Sequence, residues 1–307
     1  MTLFFTRRTY NASSQKFTNN TAALTRYVRI SSGPDSKGRW SGGTISQADW
    51  LSQVRAEADT NEITIYVHGF NTRQSDMLRR LGKIRKGLRD KGYRGALIAW
   101  DWPSEGGIFS YDHDRNRAKE TAHFMFSDGI LPLLNASPRP KINLIAHSMG
   151  AYVVLRGLSV FDDAAGPGSG AWKVNEVTFA SADVARKWLG KGAWAGLLLR
   201  HRCKRFTNYY SENDRVLPIS AFTDGFRKRA GRDGLPAATE TNQIDVSCGA
   251  QFLRDVSPGK RSKARSHRWW FESDTFYRDL RLTIDGTAAD AMPTRDPGPG
   301  ADFIMNG

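Results

Sequence analysis

Cysteine is scarce in this chain. There are two among 307 residues, Cys203 and Cys248, too few for a disulfide framework and without the paired spacing of a zinc site. The six histidines are scattered, with no HExxH or HxH pair, so no metal site is expected and no cofactor is called for. Long apolar runs are missing too, and nothing approaches the ~18 residues that a membrane span needs. The N-terminus offers only Leu3-Phe4-Phe5 ahead of its first arginines. A secretory signal has the reverse order and a longer apolar core, so a cytoplasmic location is expected. Acidic residues are outnumbered, 31 against 45 basic, for a net charge of +14.

The positive charge is bunched at 79–94, 200–205, 226–232 and 259–268. Runs of this kind are ordinarily solvated helix faces and loops. The field they create also favours an anionic substrate or a membrane surface. Nucleic acid is the less favoured partner, because no RNP motif, zinc finger or helix-turn-helix pattern accompanies the charge.

What is present is an ordered alternation. EITIYV (62–67), ALIAWDW (96–102), KINLIAH (141–147), EVTFASAD (176–183), RFTNYYSEND (205–214) and the weaker QIDVS (243–247) read as strands. Between them, 75–91, 115–134 and 149–161 carry apolar residues at helical spacing, with Ser75 as an N-cap for the first. The Gly/Pro/Ser patch 166–170 reads as a loop, and 273–284 as a last helix capped by Ser273 or Asp274. Near-continuously apolar strands alternating with helices predict an α/β fold with a mostly parallel sheet covered on both faces. Residues 1–60 are expected to add antiparallel edge strands and a helix to the same domain. The core then spans 61–285, and 286–307, rich in Pro, Gly and Ala, is expected to be a flexible tail.

One stretch points to chemistry. INLIAHSMGAYVV (142–154) is a strand, then Ala146-His147-Ser148-Met149-Gly150, then a helix. This fits the nucleophile elbow written G-x-S-x-G, with alanine in place of the first glycine. The small residues two places either side of the serine let a sharp turn pack between strand and helix. A serine hydroxyl needs a base and the base needs an orienting acid, in the chain order Ser, acid, His. Only His201 and His267 follow Ser148. His267 precedes the last helix, whereas His201 sits in a basic segment, so His267 is the expected base. His147 is adjacent to the serine, and an elbow turns neighbouring side chains apart. Asp214, closing the fifth strand, is the expected acid. Asp183, at the end of the fourth, is the alternative, and Asp245 within a strand is read as structural. The backbone N–H groups of Met149 and Phe70 are the expected oxyanion donors. Gly69 lets that loop approach the substrate, and Asn71 and Thr72 brace it.

Taken together, VHGFNT (67–72), WPSEG (102–106), YDHDR (111–115), AHSMG (146–150), SADVAR (181–186), YSENDRVLPIS (210–220) and SHRWWF (266–271) resemble the uncharacterised α/β-hydrolase family of the esterase/lipase superfamily. The resemblance spans about 60–285. It departs at Ser181-Ala182, where Ala-Pro is usual, and at Trp269-Trp270, where Ser-Tyr is usual. Neither departure is expected to touch the triad.

The resemblance implies the α/β-hydrolase fold and hydrolysis of an ester-like bond in a small acyl substrate, without cofactor or metal. Thioesterase, amidase, phospholipase or acyltransferase chemistry on the same triad is the alternative. A non-enzymatic binding module is less favoured, because all three triad members are present. Oligomeric state is not legible. His68, Trp102, Ser104, Tyr111, Asp114 and Trp188 are candidates for the pocket, each with a structural role as the rival reading. The segment 186–201 is either an apolar lid or a sheet-covering helix.

Overall fold

Strands whose residues are nearly all buried set the centre of the sheet. In the computed structural model, described for residues 1–11, 13, 16–36, 40–104, 110–159, 172–223, 225, 227–298 and 302–307, β1 is Thr2–Asn11, β2 Lys16–Ser32, β3 Ser41–Ile45, β4 Glu62–Val67, β5 Ala96–Asp101, β6 Lys141–His147, β7 Val174–Ala180, β8 Cys203–Tyr210, β9 Gln243–Ser247, β10 Arg295–Pro297 and β11 Phe303–Met305. The helices are α1 Gln47–Glu57, α2 Gln74–Asp90, α3 Tyr111–Met125, α4 Leu131–Leu134, α5 Gly150–Ser159, α6 Trp194–Arg202, α7 Leu217–Thr223, α8 Ala230–Asp233, α9 Gly249–Asp255, α10 Lys263–Arg268 and α11 Asp274–Asp285. A π-helical turn, Phe126–Ile130, joins α3 to α4 where one continuous helix was expected.

All eleven strands form one sheet in the order β10-β11-β9-β8-β7-β6-β4-β5-β1-β2-β3. From β11 to β1 the pairing is parallel throughout. The antiparallel edge expected from the first sixty residues is made by β2 and β3, while β1 itself runs parallel to β5.

Alternate side chains of the central strands feed two cores, as the pleat requires. Ile63, Ile65 and Val67 of β4 join the cluster built with α1, α3, α5 and α6. Tyr66 between them joins the cluster built with α2 and α11. The helix expected at 75–91 begins at Gln74. Its cap is Arg73, without a side-chain bond, so Ser75 is not the N-cap. Ser273 caps α11, accepting from Phe276 N. The 166–170 loop and the last residues of the 149–161 helix lie outside the described residues.

The expected flexible tail needs correction. β10 and β11 close one edge of the sheet, with β11 parallel to β9. Arg295 anchors them. Its Nη2 lies 2.6 Å from Asp279 Oδ1 and its Nε 2.9 Å from Asp279 Oδ2, both residues buried on α11 and β10. A paired arginine and carboxylate of this kind is invisible to a composition argument.

The segment 186–201 is a short 3₁₀ turn at Arg186–Leu189 followed by α6. Ala195, Leu198 and Leu199 enter the core, and α6 packs on β8 and α5, so it covers the sheet. No helix among the described residues is long and apolar enough to cross a membrane.

One buried carboxyl yields a stability prediction. Asp245 accepts from Asn208 Nδ2 at 2.8 Å and from Leu235 N at 2.7 Å. Burial pushes its pKa up to about 7, despite those bonds. Between the unfolded value and that figure the native state holds the extra proton, so stability falls as pH rises through the window. Urea unfolding is expected to show a decline of about 1–3 kcal/mol from pH 5 to pH 8. Asp245→Asn is expected to abolish most of that slope, at a cost in absolute stability because its amide would face the Leu235 donor. An unchanged slope in the variant would assign the decline to other groups.

Candidate active site

Strand order reverses between β4 and β6. The chain leaves β4 for β5 on one side and leaves β6 for β7, β8 and β9 on the other. In an open parallel sheet the crevice beyond the carboxyl ends of the strands at such a point is where ligands bind. His68-Gly69-Phe70 follows β4 here, and Ser148 follows β6.

Ser148 has a φ of 56°. A non-glycine residue in the left-handed region costs about 1 kcal/mol or more, and persists only where its surroundings enforce it. They do so here: Ser148 N donates to Ala180 O at 3.2 Å, and Ser148 O accepts from Asp183 N at 3.1 Å. A β-carbon on Gly150 would come within 2.3 Å of Val67 O, so glycine is what lets α5 start against β4. A β-carbon on Gly69 would meet Ser148 Cβ at 2.7 Å. The loop after β4 thus runs against the serine with no room for a side chain between them.

The structure brings Asp214 and His267 together. His267 Nδ1 lies 2.7 Å from Asp214 Oδ2, with 5 % and 0 % exposure respectively. The other oxygen, Oδ1, accepts from Val216 N at 2.9 Å and Leu217 N at 3.2 Å. Burial raises the Asp214 pKa, but His267, the Ser181 hydroxyl and the Val216 N–H outweigh it and hold the carboxyl below its ordinary value. An ionised carboxylate only accepts, so Nδ1 of His267 carries the proton in this pair and Nε2 of the neutral ring keeps its lone pair. The His267 ring lies 4.7 Å from that of His147, the residue before Ser148.

His147 itself is turned to another task. Its Nε2 lies 2.8 Å from the backbone oxygen of His267, so it donates there and ties the base's chain segment to the elbow. Burial first, then the nearby His267, depresses its pKa well below the usual imidazole value. His201 is exposed on α6.

Asp183 does not reach His267. Tyr111 OH donates to its Oδ2 at 2.8 Å and Ser220 Oγ to its Oδ1 at 2.7 Å, and Arg229 Nε lies 3.2 Å from Oδ1. Asp245 is bonded within the sheet, as described above. The expectation that the two departures avoid the triad is overturned. Trp270 Nε1 donates to Ser181 Oγ at 2.9 Å, and Ser181 is one of the groups that hold the Asp214 charge. Strand periodicity concealed this. The strands expected to run through 183 and 214 end at Ala180 and Tyr210, and Ser181 turns aside with a φ of 49°.

The candidate pocket residues divide in two. His68, Trp102 and Ser104 are wholly buried behind the loop after β4. Trp102 Nε1 donates to His68 O at 2.8 Å, and the two rings stack at 5.3 Å. Ser104 Oγ lies 3.3 Å from Gly69 O and 3.1 Å from Asp114 Oδ2. Thr72 is in the same cluster, its Oγ1 bonded to Phe70 O at 3.2 Å. These side chains brace the loop. Tyr111 and Trp188 belong instead to a group of aromatic rings with Phe70 and Tyr152. Tyr111 packs edge-on to Phe70 at 5.7 Å, Trp188 lies 6.4 Å from Tyr152 on the first turn of α5, and the Arg115 guanidinium covers the Tyr152 ring at 4.6 Å.

Sequence reasoning missed Arg8 and Asp101. Their only sequence signals are an arginine within a predicted edge strand and an acid at the end of a buried one. The basic run at 79–94 is largely paired, Lys83 with Glu272, Arg85 with Glu57 and Lys91 with Asp274, as a solvated helix face would be. Among the described residues no cluster of His, Cys, Asp and Glu that could hold a metal ion is present.

Comparison with known proteins adds the following. The sequence model of the family described as "Alpha/beta hydrolase of unknown function (DUF900)" matches residues 44–277. No curated protein matches the chain. Among solved structures, a protein of Agrobacterium vitis S4 described as a hydrolase is 12% identical, over 86% of this chain and 96% of that one, with a TM-score of 0.38. Est1E from Butyrivibrio proteoclasticus is 11% identical, over 86% of this chain and 95% of that one, with a TM-score of 0.36.

Proposed function

We propose, from the premise that this chain belongs to the alpha/beta hydrolases of unknown function, that it is a serine hydrolase cleaving a carboxylic ester through an acyl-enzyme on Ser148. The observation that carries the reading is the 2.7 Å contact of His267 Nδ1 with a buried Asp214 carboxylate, beside a serine held at a φ of 56°.

The chemistry follows from those groups. Ser148 Oγ attacks the ester carbonyl carbon while His267 Nε2 takes the hydroxyl proton. The carbonyl π electrons move onto oxygen, where the Phe70 and Met149 amides donate to the oxyanion. Asp214 holds the ring and offsets the imidazolium charge. The tetrahedral intermediate collapses, the ester C–O bond breaks, and His267 returns the proton to the departing alkoxide. Water, deprotonated by the same nitrogen, then attacks the acyl carbonyl; the bond to Ser148 Oγ breaks, His267 returns the proton to that oxygen, and the acid leaves. The aromatic surfaces of Phe70, Tyr111, Tyr152 and Trp188 favour an apolar acyl or alcohol group.

The test is labelling with a fluorophosphonate, which forms a covalent adduct only with an activated serine. Wild type is expected to label and Ser148→Ala to remain unlabelled. Wild-type protein that is folded and yet unreactive would sink the reading.

A further inference from the structure

Behind the Gly69 loop lies an ionic cluster that belongs neither to the proposed triad nor to the pocket. Arg8, on β1, lies outside the residues that the family model matches. Its side chain is 1 % exposed. Its Nε lies 2.9 Å from Asp101 Oδ1, and its Nη2 donates to Thr72 O at 2.9 Å and to Ser104 O at 3.2 Å. Asp101, wholly buried at the end of β5, also accepts from Gln74 Nε2 at 2.8 Å and lies 3.1 Å from His68 Nε2. His68 Nδ1 in turn lies 3.0 Å from Gly69 O.

One guanidinium therefore ties together three segments: β1, the end of β5, and the loop that abuts Ser148. The geometry has a consequence for the Phe70 amide. In a trans peptide the C=O and the following N–H point in opposite directions. Gly69 O accepts from Ser104 Oγ on the buried side, while the one N–H of the neutral His68 ring is turned to the Asp101 carboxylate. Phe70 N–H must then point away from that brace.

We infer that Arg8 is a positioning residue for the oxyanion donor: by holding the carbonyls of Thr72 and Ser104 it sets the Ser104 hydroxyl against Gly69 O, and so fixes the Gly69–Phe70 peptide plane. The inference rests on the ester-hydrolase reading of Ser148. A lysine cannot replace the fork. It keeps one positive charge for Asp101 but presents a point charge in place of the planar donors that also reach the two carbonyls.

Arg8→Lys is therefore the informative variant. It is expected to fold, with kcat on a soluble p-nitrophenyl ester lower by about 10–100-fold and KM changed by about 2-fold or less, because an oxyanion donor acts in the transition state and not on bound substrate. The inhibition constant of a boronic acid, whose adduct with the serine is tetrahedral, is expected to rise with the fall in kcat. Amide exchange in the peptide containing Phe70–Thr72 is expected to speed up, a readout that needs no turnover. Should Arg8→Lys fail to fold, the pair Arg8→Met with Asp101→Asn removes both charges together and is expected to give the same split. Unchanged kcat and unchanged exchange in a folded variant would overturn the inference. Full hydrolysis by Ser148→Ala would instead overturn the ester-hydrolase reading and leave the exchange result standing.

Discussion

Alanine at Ser148 and alanine at His267 are each expected to lower kcat for a p-nitrophenyl ester by about 10⁵–10⁶, and the double variant by no more than either single one. The reason is that the two side chains perform one act. The hydroxyl is a nucleophile only while a base accepts its proton, and the lone pair on His267 Nε2 has no use without the hydroxyl. Removing either removes the whole step, so the second removal finds nothing left to lose. What survives in all three variants is the contribution of the oxyanion donors and of substrate binding, about 10³–10⁴ over water. The measurement is kcat and KM for the wild type, the two single variants and the double, with melting temperatures to show that each remains folded. His147→Gln provides the contrast. Its ring only tethers His267 O to the elbow, so a loss of about 10-fold is expected, from a misplaced base and not a missing one. Additive losses at Ser148 and His267, or a His147→Gln variant as inactive as His267→Ala, would reassign the base.

Much of this arrangement was legible in local sequence, for a definite reason. Strands such as Ile63–Val67 and Ile142–Ala146 are buried on both faces because helices cover both, and only Thr64 and Asn143 interrupt their apolar runs, so a sheet of that kind reads directly from its sequence. Ser148, Asp214 and His267 stood out as candidates because each lies close to where a strand or helix ends, and the residue types are few. What stayed hidden was long-range and polar. Arg295 finds Asp279, and Arg8 finds Asp101 across 93 residues, and neither arginine differs in the sequence from those on the surface. Asp101 closes the run ALIAWD and looks like a strand terminus, not the centre of a buried cluster. The tail was misjudged because its composition is loop-like, while it docks through long-range contacts: β11 on β9, and Arg295 and Thr294 on Asp279. Ser181 was misjudged because a residue with positive φ breaks the strand without a glycine to announce it.

Asp214→Asn is expected to lower kcat by about 10⁴ with the fold intact, while Asp183→Asn lowers stability and leaves the chemical step largely in place. The two acids have different neighbours, and the predictions follow from them. At Asp214 the carboxylate fixes the proton on His267 Nδ1. An amide there can turn its NH₂ toward Nδ1, which moves the ring proton to Nε2 and leaves the base without a lone pair for the Ser148 hydroxyl. The bonds from Val216 N and Leu217 N to Oδ1 remain available to the amide oxygen, so the melting temperature should shift little. At Asp183 the carboxylate faces Arg229, which is 1 % exposed, together with Tyr111 OH and Ser220 Oγ. Neutralising one member of a buried ion pair typically costs about 3–5 kcal/mol, and the expected result is a clear drop in melting temperature. Below that temperature kcat should stay within about 10-fold of wild type, since the carboxylate touches neither His267 nor the proton in flight. A folded Asp183→Asn enzyme with the larger loss in kcat would move the acid to the end of β7. Equal losses in kcat from both would mean that the Tyr111–Asp183–Arg229 cluster holds Ser148 itself in place, through the bond from Asp183 N to Ser148 O.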